Sequence, residues 1–313
     1  MYANIKQIDP RTGKKKFNFV RTAFILSAVA LPVINVLIFY FYVNLQSFTM
    51  GFQHKEASGV IVFTLENFSQ FFESLGKSSS ELRIAFKNTF LSWLVSVWNT
   101  ILGFLAAYFL YKKIPGHKFF RYIFLIPGVL AATITTAVYK ELIGINGPVM
   151  QLIQKIDDIP VKLDLLNEPD YANKMVFLQM FIGGVATNLV MWGGTFARIP
   201  ESVLEAAKLD GCPWHKEVTH IIVPLVWPMV ALFIVLSVCG IFGAGGNVFL
   251  LTKGLNGTQT FANWMYMQVY NNPNDFNSLA FMSAVGMCVS IVAIVISFVV
   301  RRFADAAFAD LQY

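Results

Sequence analysis

The side chains of this chain that could do chemistry are sparse, and most sit where apolar residues dominate. Asn99, Thr100, Thr133, Thr135, Thr136, Asn188, Ser283 and Ser290 interrupt long uncharged stretches, and Asn247 closes another. Polar groups set among apolar residues in this way either bond one another between helices or line a path for an uncharged, hydroxyl-rich solute. Asn188, Trp192, Asn247 and Ser283 are the candidates for such a path. Catalysis has no comparable footing. His54, His117, His215 and His220 fall in connections or at the ends of apolar stretches without metal-ligand spacing, and no nucleophile–base pair stands out. There is no G-x-x-x-x-G-K-[ST] loop, because Gly13-Lys14 lacks the preceding glycine and the following hydroxyl. The chain is therefore not expected to hydrolyse ATP, and neither a metal nor a cofactor is expected on it. Many proton- or sodium-coupled carriers place acids or histidines inside their spans. Here only Lys140 and Glu141 approach one, at an end where long side chains can snorkel.

The elements that would position these residues follow from composition. The chain is 56% hydrophobic and 13% charged, about half the charge of an ordinary soluble protein. A helix needs roughly 20 mostly apolar residues to cross a bilayer, and in hydrocarbon the backbone must bond internally. Six stretches satisfy this, at about 20–44, 88–111, 120–142, 175–197, 219–242 and 278–300. The expected fold is an all-α, polytopic transmembrane helical bundle of six spans. A seventh uncharged stretch, 254–274, is rich in Asn, Gln, Thr and Gly and reads as an outer loop with a short amphipathic helix near Phe261–Tyr270.

Orientation follows from the excess of Lys and Arg expected on the cytoplasmic side. Lys6, Arg11, Lys14, Lys15, Lys16 and Arg21 precede the first span. Lys112, Lys113, Lys118 and Arg121 lie between the second and third, and Arg198, Lys208 and Lys216 between the fourth and fifth. Arg301 and Arg302 follow the last. Both termini are thereby expected in the cytoplasm. The first apolar stretch is long for a signal-peptide core and lacks a small-residue cleavage site, so it reads as a retained helix. Cys212, Cys239 and Cys288 make no disulfide framework. The formal charge of +6 is placed at membrane boundaries and carries no nucleic-acid motif, so no nucleic acid is expected as partner.

The chain divides into a basic cytoplasmic tail (1–19), a first helix with a long outer connection (20–84), a core of five spans (85–302) and a C-terminal cytoplasmic tail (303–313). The inner connection 198–218 stands apart. Pro200, Glu201 and Ser202 suit a helix start, Gly211 suits its end, and Pro213 stops continuation. A helix at about 201–210 would gather Val203, Leu204, Ala206 and Ala207 on one arc, with Glu201, Glu205 and Lys208 opposite. Leu209 falls off that arc and Asp210 within it, and a helix this short needs a partner surface.

This connection resembles the cytoplasmic motif of importer permeases of the ATP-binding-cassette class: E-A-A, three residues, G, nine residues, I, one residue, L-P. Glu205-Ala206-Ala207, Gly211, Ile221 and Pro224 match, with Val223 in place of Leu. The stretch Phe249–Gly254 with Thr258 and Thr260 is similar to a segment of the maltose-type and glycerol-phosphate-type branch, although Leu255 and Asn256 stand where Gly and Pro are usual. The resemblance spans about 85–302 and implies a type I importer permease core with a coupling helix at about 201–211. Glu201, Glu205, Ala206, Ala207, Leu209, Asp210, Gly211 and Pro224 are then the residues expected to meet the motor. The implied partners are a second homologous permease subunit, two cytoplasmic ATPase subunits that hold ATP and Mg, an external solute-binding protein and the lipid bilayer. The implied cargo is an oligosaccharide or related sugar. Another importer cargo is the nearest alternative, with phosphate disfavoured because no Arg or Lys lies deep in the spans. A stand-alone secondary transporter would leave the Glu205–Pro224 pattern unexplained, and a membrane-embedded enzyme would need catalytic groups that are not visible.

Overall fold

A computed structural model describes residues 19–77, 81–157 and 164–311, so most of the basic N-terminal tail lies outside the described residues. The chain opens with α1 (Phe19–Asn35), a π-helical segment (Val36–Tyr42) and α2 (Val43–Gly51), which run on as one apolar rod. Pro32 lies one turn before the π segment, where a missing backbone donor loosens helical register. The rod ends at Gly51 rather than near residue 44. A hairpin follows, β1 (Gln53–Lys55) and β2 (Ile61–Phe63), and then α3 (Glu66–Gly76). Asn67 holds this unit together by donating to the carbonyls of Gly51 (3.0 Å) and Gln53 (2.9 Å).

The core is built on α4 (Glu81–Tyr111) and α8 (Pro169–Phe196), which pack along much of their length. Between them come α5 (His117–Val129), α6 (Ala132–Ile143) and α7 (Pro148–Asp157). The chain then passes through α9 (Glu201–Leu209), α10 (Trp214–Lys216), a second π segment (Glu217–Ile222), α11 (Val223–Leu225) and α12 (Trp227–Cys239). A 3-10 turn (Ile241–Gly243), α13 (Val248–Thr252), α14 (Phe261–Asn271) and α15 (Phe276–Leu311) complete it. Because α15 continues to Leu311, residues 303–311 are helical.

Among the described residues four helices are long and apolar enough to cross a membrane, and a fifth if a bent pair counts as one, so the expected six are not reached by that measure. Two expected spans differ in kind. The third is broken at Leu130 and Ala131, whose ψ of 142° is extended. The fifth bends by 81° between Trp214–Leu225 and Trp227–Cys239. Pro224 and Pro228 flank the bend at Val226, and neither has an N–H to continue the helical ladder across it.

Candidate functional site

Where α4 crosses α8, two glycines and two asparagines interlock. A Cβ on Gly103 would meet the Asn188 side chain, and one on Gly184 would meet the Asn99 side chain. The missing side chains let the helices approach closely enough to seat both amides. Asn188 donates to the Gly184 carbonyl (2.9 Å) and accepts from Thr100 (3.4 Å). Asn99 donates to the Met180 carbonyl (3.0 Å), while its own amide oxygen is buried without a partner among the described residues.

This crossing forms one wall of a cavity of about 670 Å³. Its polar lining comes from Ser96, Asn99, Thr135, Gln179, Thr187, Asn188, Ser237 and Asn247, and no charged residue among those described contributes. Both irregular backbone segments face it. Leu130 and Ala132 flank the break in the third span, and Gly240, Gly243, Gly245 and Gly246 follow α12. Non-helical backbone is tolerated at membrane depth where it lines a cavity and its polar groups can be met there. The break in the third span and the glycine turn after α12 are placed in this way, whereas the bend at Val226 lines a different cavity, with Pro228 and Met229.

Asn188 and Asn247 thus share one cavity. Trp192, one turn beyond Asn188, does not line it. It is 2% exposed, packs against Phe104 and Phe233 with ring centroids 5.0 and 4.5 Å away, and faces a separate apolar cavity of about 590 Å³. Ser283 bonds the Leu279 carbonyl of its own helix (2.9 Å) and is also absent from the polar lining. Sequence reasoning had noted Asn99 and Thr135 as polar residues within spans without selecting them, and had no signal for Gln179 or Ser237. Of the glycines, Gly183 and Gly184 of α8 and those after α12 line the cavity, whereas Gly193 and Gly194 do not.

The second element of the site is α9. It starts after Pro200 in extended conformation and closes with Gly211 at φ +64°. The N–H of Cys212 reaches the Ala207 carbonyl (3.0 Å) and that of Gly211 reaches Lys208 (3.2 Å), the paired bonds of a helix end that needs a left-handed residue. Ala207 is buried and Val203 and Leu204 are half-buried, so this side of α9 seats on the chain's own bundle. Ala206 does not join that face. It is exposed, together with Glu201, Glu205, Asp210 and Leu209. Leu209 is 88% exposed, an apolar side chain with no cover on a helix too short to stand alone. Pro224 stands at the far end of the π segment, beside the bend.

Three contacts tie the end of α4 to the loop that carries α9. The Tyr111 hydroxyl donates to the Ile199 carbonyl (2.8 Å). Lys113 reaches Glu201 at 3.3 Å, with both side chains exposed. Lys112 donates to Glu217 at 2.6 Å, with the carboxylate side chain only 2% exposed and the lysine 32%. Burial works to lower the Lys112 pKa. The hydrogen bond to Glu217 and the neighbouring Tyr108 outweigh it and hold the ammonium above its ordinary 10.5. The same α4 carries Trp93, Ser96 and Asn99 on the cavity wall, so one rigid helix joins the α9 loop to the cavity.

No protein-family model matches the chain. Among curated proteins it resembles the lactose transport system permease protein LacF of Rhizobium radiobacter, 22% identical over 68% of this chain and 73% of that one. It also resembles the maltodextrin transport system permease protein MalD of Streptococcus pneumoniae, 26% identical over 69% and 74%. A third is the multiple sugar-binding transport system permease protein MsmF of Streptococcus mutans, 23% identical over 64% and 68%. Among solved structures, a chain of a bacterial ABC transporter involved in alginate import superposes with a TM-score of 0.75, covering 92% of this chain and 97% of that chain at 17% identity. The fold is therefore that of such a transporter's membrane subunit. Taken with the curated relatives and the E-A-A…G motif on α9, it makes this chain a multi-pass membrane permease of the ATP-binding-cassette transporter class, a transport subunit rather than an enzyme.

Proposed function

We propose that the chain is one membrane subunit of an ATP-driven, binding-protein-dependent importer for an oligosaccharide or related sugar. The observation that carries the cargo is the central cavity, lined by amides, hydroxyls and glycine backbone and by no charge. Such a lining pairs with sugar hydroxyls and offers no counter-charge to a phosphate or an ammonium group. The curated relatives named for lactose, maltodextrin and multiple sugars support the same class. A solved relative seen together with an alginate-bound periplasmic protein supports delivery by an external binding protein.

In this reading both termini and α9 face the cytoplasm. A second permease subunit completes the pore, and two ATPase subunits supply the ATP and Mg. Leu209, Ala206 and Glu205 meet an ATPase groove, with Asp210 and Glu201 at its rim. Closure of the ATPases drives α9, the Tyr111, Lys112 and Lys113 contacts pass the movement to α4, and the cavity changes the side to which it opens.

The test is a gentle detergent pull-down of the tagged chain, wild type and Leu209→Asp, with mass spectrometry of what co-purifies. Wild type is expected to bring down a second permease and an ATPase. Leu209→Asp keeps the permease and loses the ATPase, because the side chain is free of intramolecular packing. A chain that purifies alone and transports in liposomes without ATP would return the secondary-carrier reading.

A further inference from the structure

The hairpin β1–β2 carries an apolar face that nothing among the described residues covers. Its pairing sets Ile61 opposite Lys55 and Phe63 opposite Gln53, and directly paired residues of an antiparallel ladder share a face. Phe63 is 74% exposed and Ile61 49%, with Val60 at 57% and Leu65 at 67% to either side. His54 and Val62, on the opposite face, are half-buried. A two-stranded hairpin is marginal in water by itself, and a contiguous group of exposed apolar side chains marks a surface that meets something.

Hydrogen bonds fix the height of this face. The Lys55 N–H donates to the Asn277 carboxamide oxygen (2.7 Å), and the Asn277 amide donates back to the Lys55 carbonyl (2.9 Å). The Thr64 N–H reaches the Phe52 carbonyl (2.8 Å). Gly51 is the last residue of one helix able to cross a membrane, and Asn277 is the second residue of another. At 1.5 Å per residue, the 29 residues Ala23–Gly51 cover about 43 Å, the thickness of a bilayer with its headgroups. The hairpin therefore stands at headgroup level. It is the end of the bundle where Leu82 of α4 packs with Met282 of α15, opposite the Tyr111 end that holds the α9 loop.

The lipid-facing surface of the first span runs on into this unit. Residues 23–49 are exposed along their whole length. Phe48, on α2, packs with Phe52 at 5.4 Å, and Phe52 with Phe68 of α3 at 5.0 Å. Lys55 is exposed beside Ile61, where its stem can lie on apolar groups while its ammonium reaches phosphate oxygens.

We propose that the β1–β2 hairpin is a membrane-interface anchor, with Ile61 and Phe63 seated at the headgroup–acyl boundary of the leaflet away from α9, where they fix the end of the first span. The occupant is lipid rather than protein because the face begins just past a lipid-exposed span and is clamped at the depth where two spans end. The inference needs only the membrane class of the chain and not its cargo.

The experiment places the complete transporter in nanodiscs of phosphatidylethanolamine and phosphatidylglycerol. Cys212, Cys239 and Cys288 are replaced by Ser in a complex otherwise free of cysteine, and one nitroxide is attached to Ile61→Cys or Phe63→Cys. Ser58→Cys in the hairpin turn and Ile294→Cys within α15 are the references. Power saturation compares collisions with oxygen, which concentrates in lipid, and with a water-soluble nickel chelate. At 61 and 63 the oxygen-to-nickel ratio is expected between the values at 294 and at 58, and unmoved by adding the external binding protein. A ratio equal to that at 58 puts the face in water and overturns the anchor. Shielding from both reagents means that a second permease subunit covers it, and a ratio that changes on adding the binding protein means that this protein docks there; either overturns it too. Phe63→Trp, in the chain with its own cysteines, tests the same point separately. The added fluorescence is expected to be quenched by lipids brominated near the top of the acyl chain, and the absence of quenching overturns the anchor.

Discussion

The Lys112–Glu217 pair allows a prediction whose sign and order follow from burial. Lys112→Met removes the cation and leaves a carboxylate that is 2% exposed facing no counter-charge. Breaking a buried pair from that side costs about 3–5 kcal/mol. Glu217→Gln leaves an ammonium that is 32% exposed and can turn to water, so its loss is nearer that of one hydrogen bond to a charged group, about 1.5–3 kcal/mol. Removing both charges, Lys112→Met with Glu217→Leu, leaves no uncompensated group and should lie close to wild type. At roughly 2–4 °C per kcal/mol, Lys112→Met should melt about 6–20 °C below wild type, Glu217→Gln less far below it, and the double variant within a few degrees of it. Tryptophan fluorescence of the detergent-solubilised chain on heating reads all three. If Glu217→Gln falls as far as Lys112→Met, or the double variant stays as low as the worse single, the carboxylate is not the group that burial penalises.

Gly184→Ala forces its new methyl into the Asn99 amide and Gly103→Ala into the Asn188 side chain. Each should cost about 1–3 kcal/mol as an overpacked contact, seen as a lower melting temperature, whereas Gly193→Ala, which meets nothing, should not. Gly211 has open space but a φ of +64°. Gly211→Val should therefore destabilise the end of α9 by about 1–2 kcal/mol and Gly211→Asn by less, measurable as protease cutting after Leu209. The stability that Lys112 draws from its partners is complete below 10.5 and fades as pH rises through the higher folded value. Glu73, held below its ordinary 4.5 by its hydrogen bond and ion pair with Lys77, loses its contribution only as pH falls below 4.5. Melting curves between pH 6 and 9 should show no slope from either group.

Much of the architecture is local and so was legible in the residues. The apolar stretches that became α4, α8 and α15 are continuous in sequence. Gly211 with Pro213 marks a helix end by backbone chemistry that no distant contact needs to supply. The apolar arc read from α9 divides in the structure: Val203, Leu204 and Ala207 seat on the bundle and Ala206 stays exposed, because the helix meets the bundle by a narrower strip than its periodicity offers.

By itself, then, the sequence determined that the chain is a membrane bundle with a short helix in one of its connections, since burial in lipid and helix capping are properties of neighbouring residues. Only the tertiary structure decided which polar residues share a site. Asn188 and Trp192 lie one turn apart and point into different cavities, while Asn247 joins Asn188 across a break that opens where two spans give up their ladder. Lys112 and Glu217 stand 105 positions apart, and Gly103 meets Asn188 through a helix crossing. Such pairings depend on where rigid helices cross, and periodicity along one helix carries no information about the angle or depth at which another will meet it.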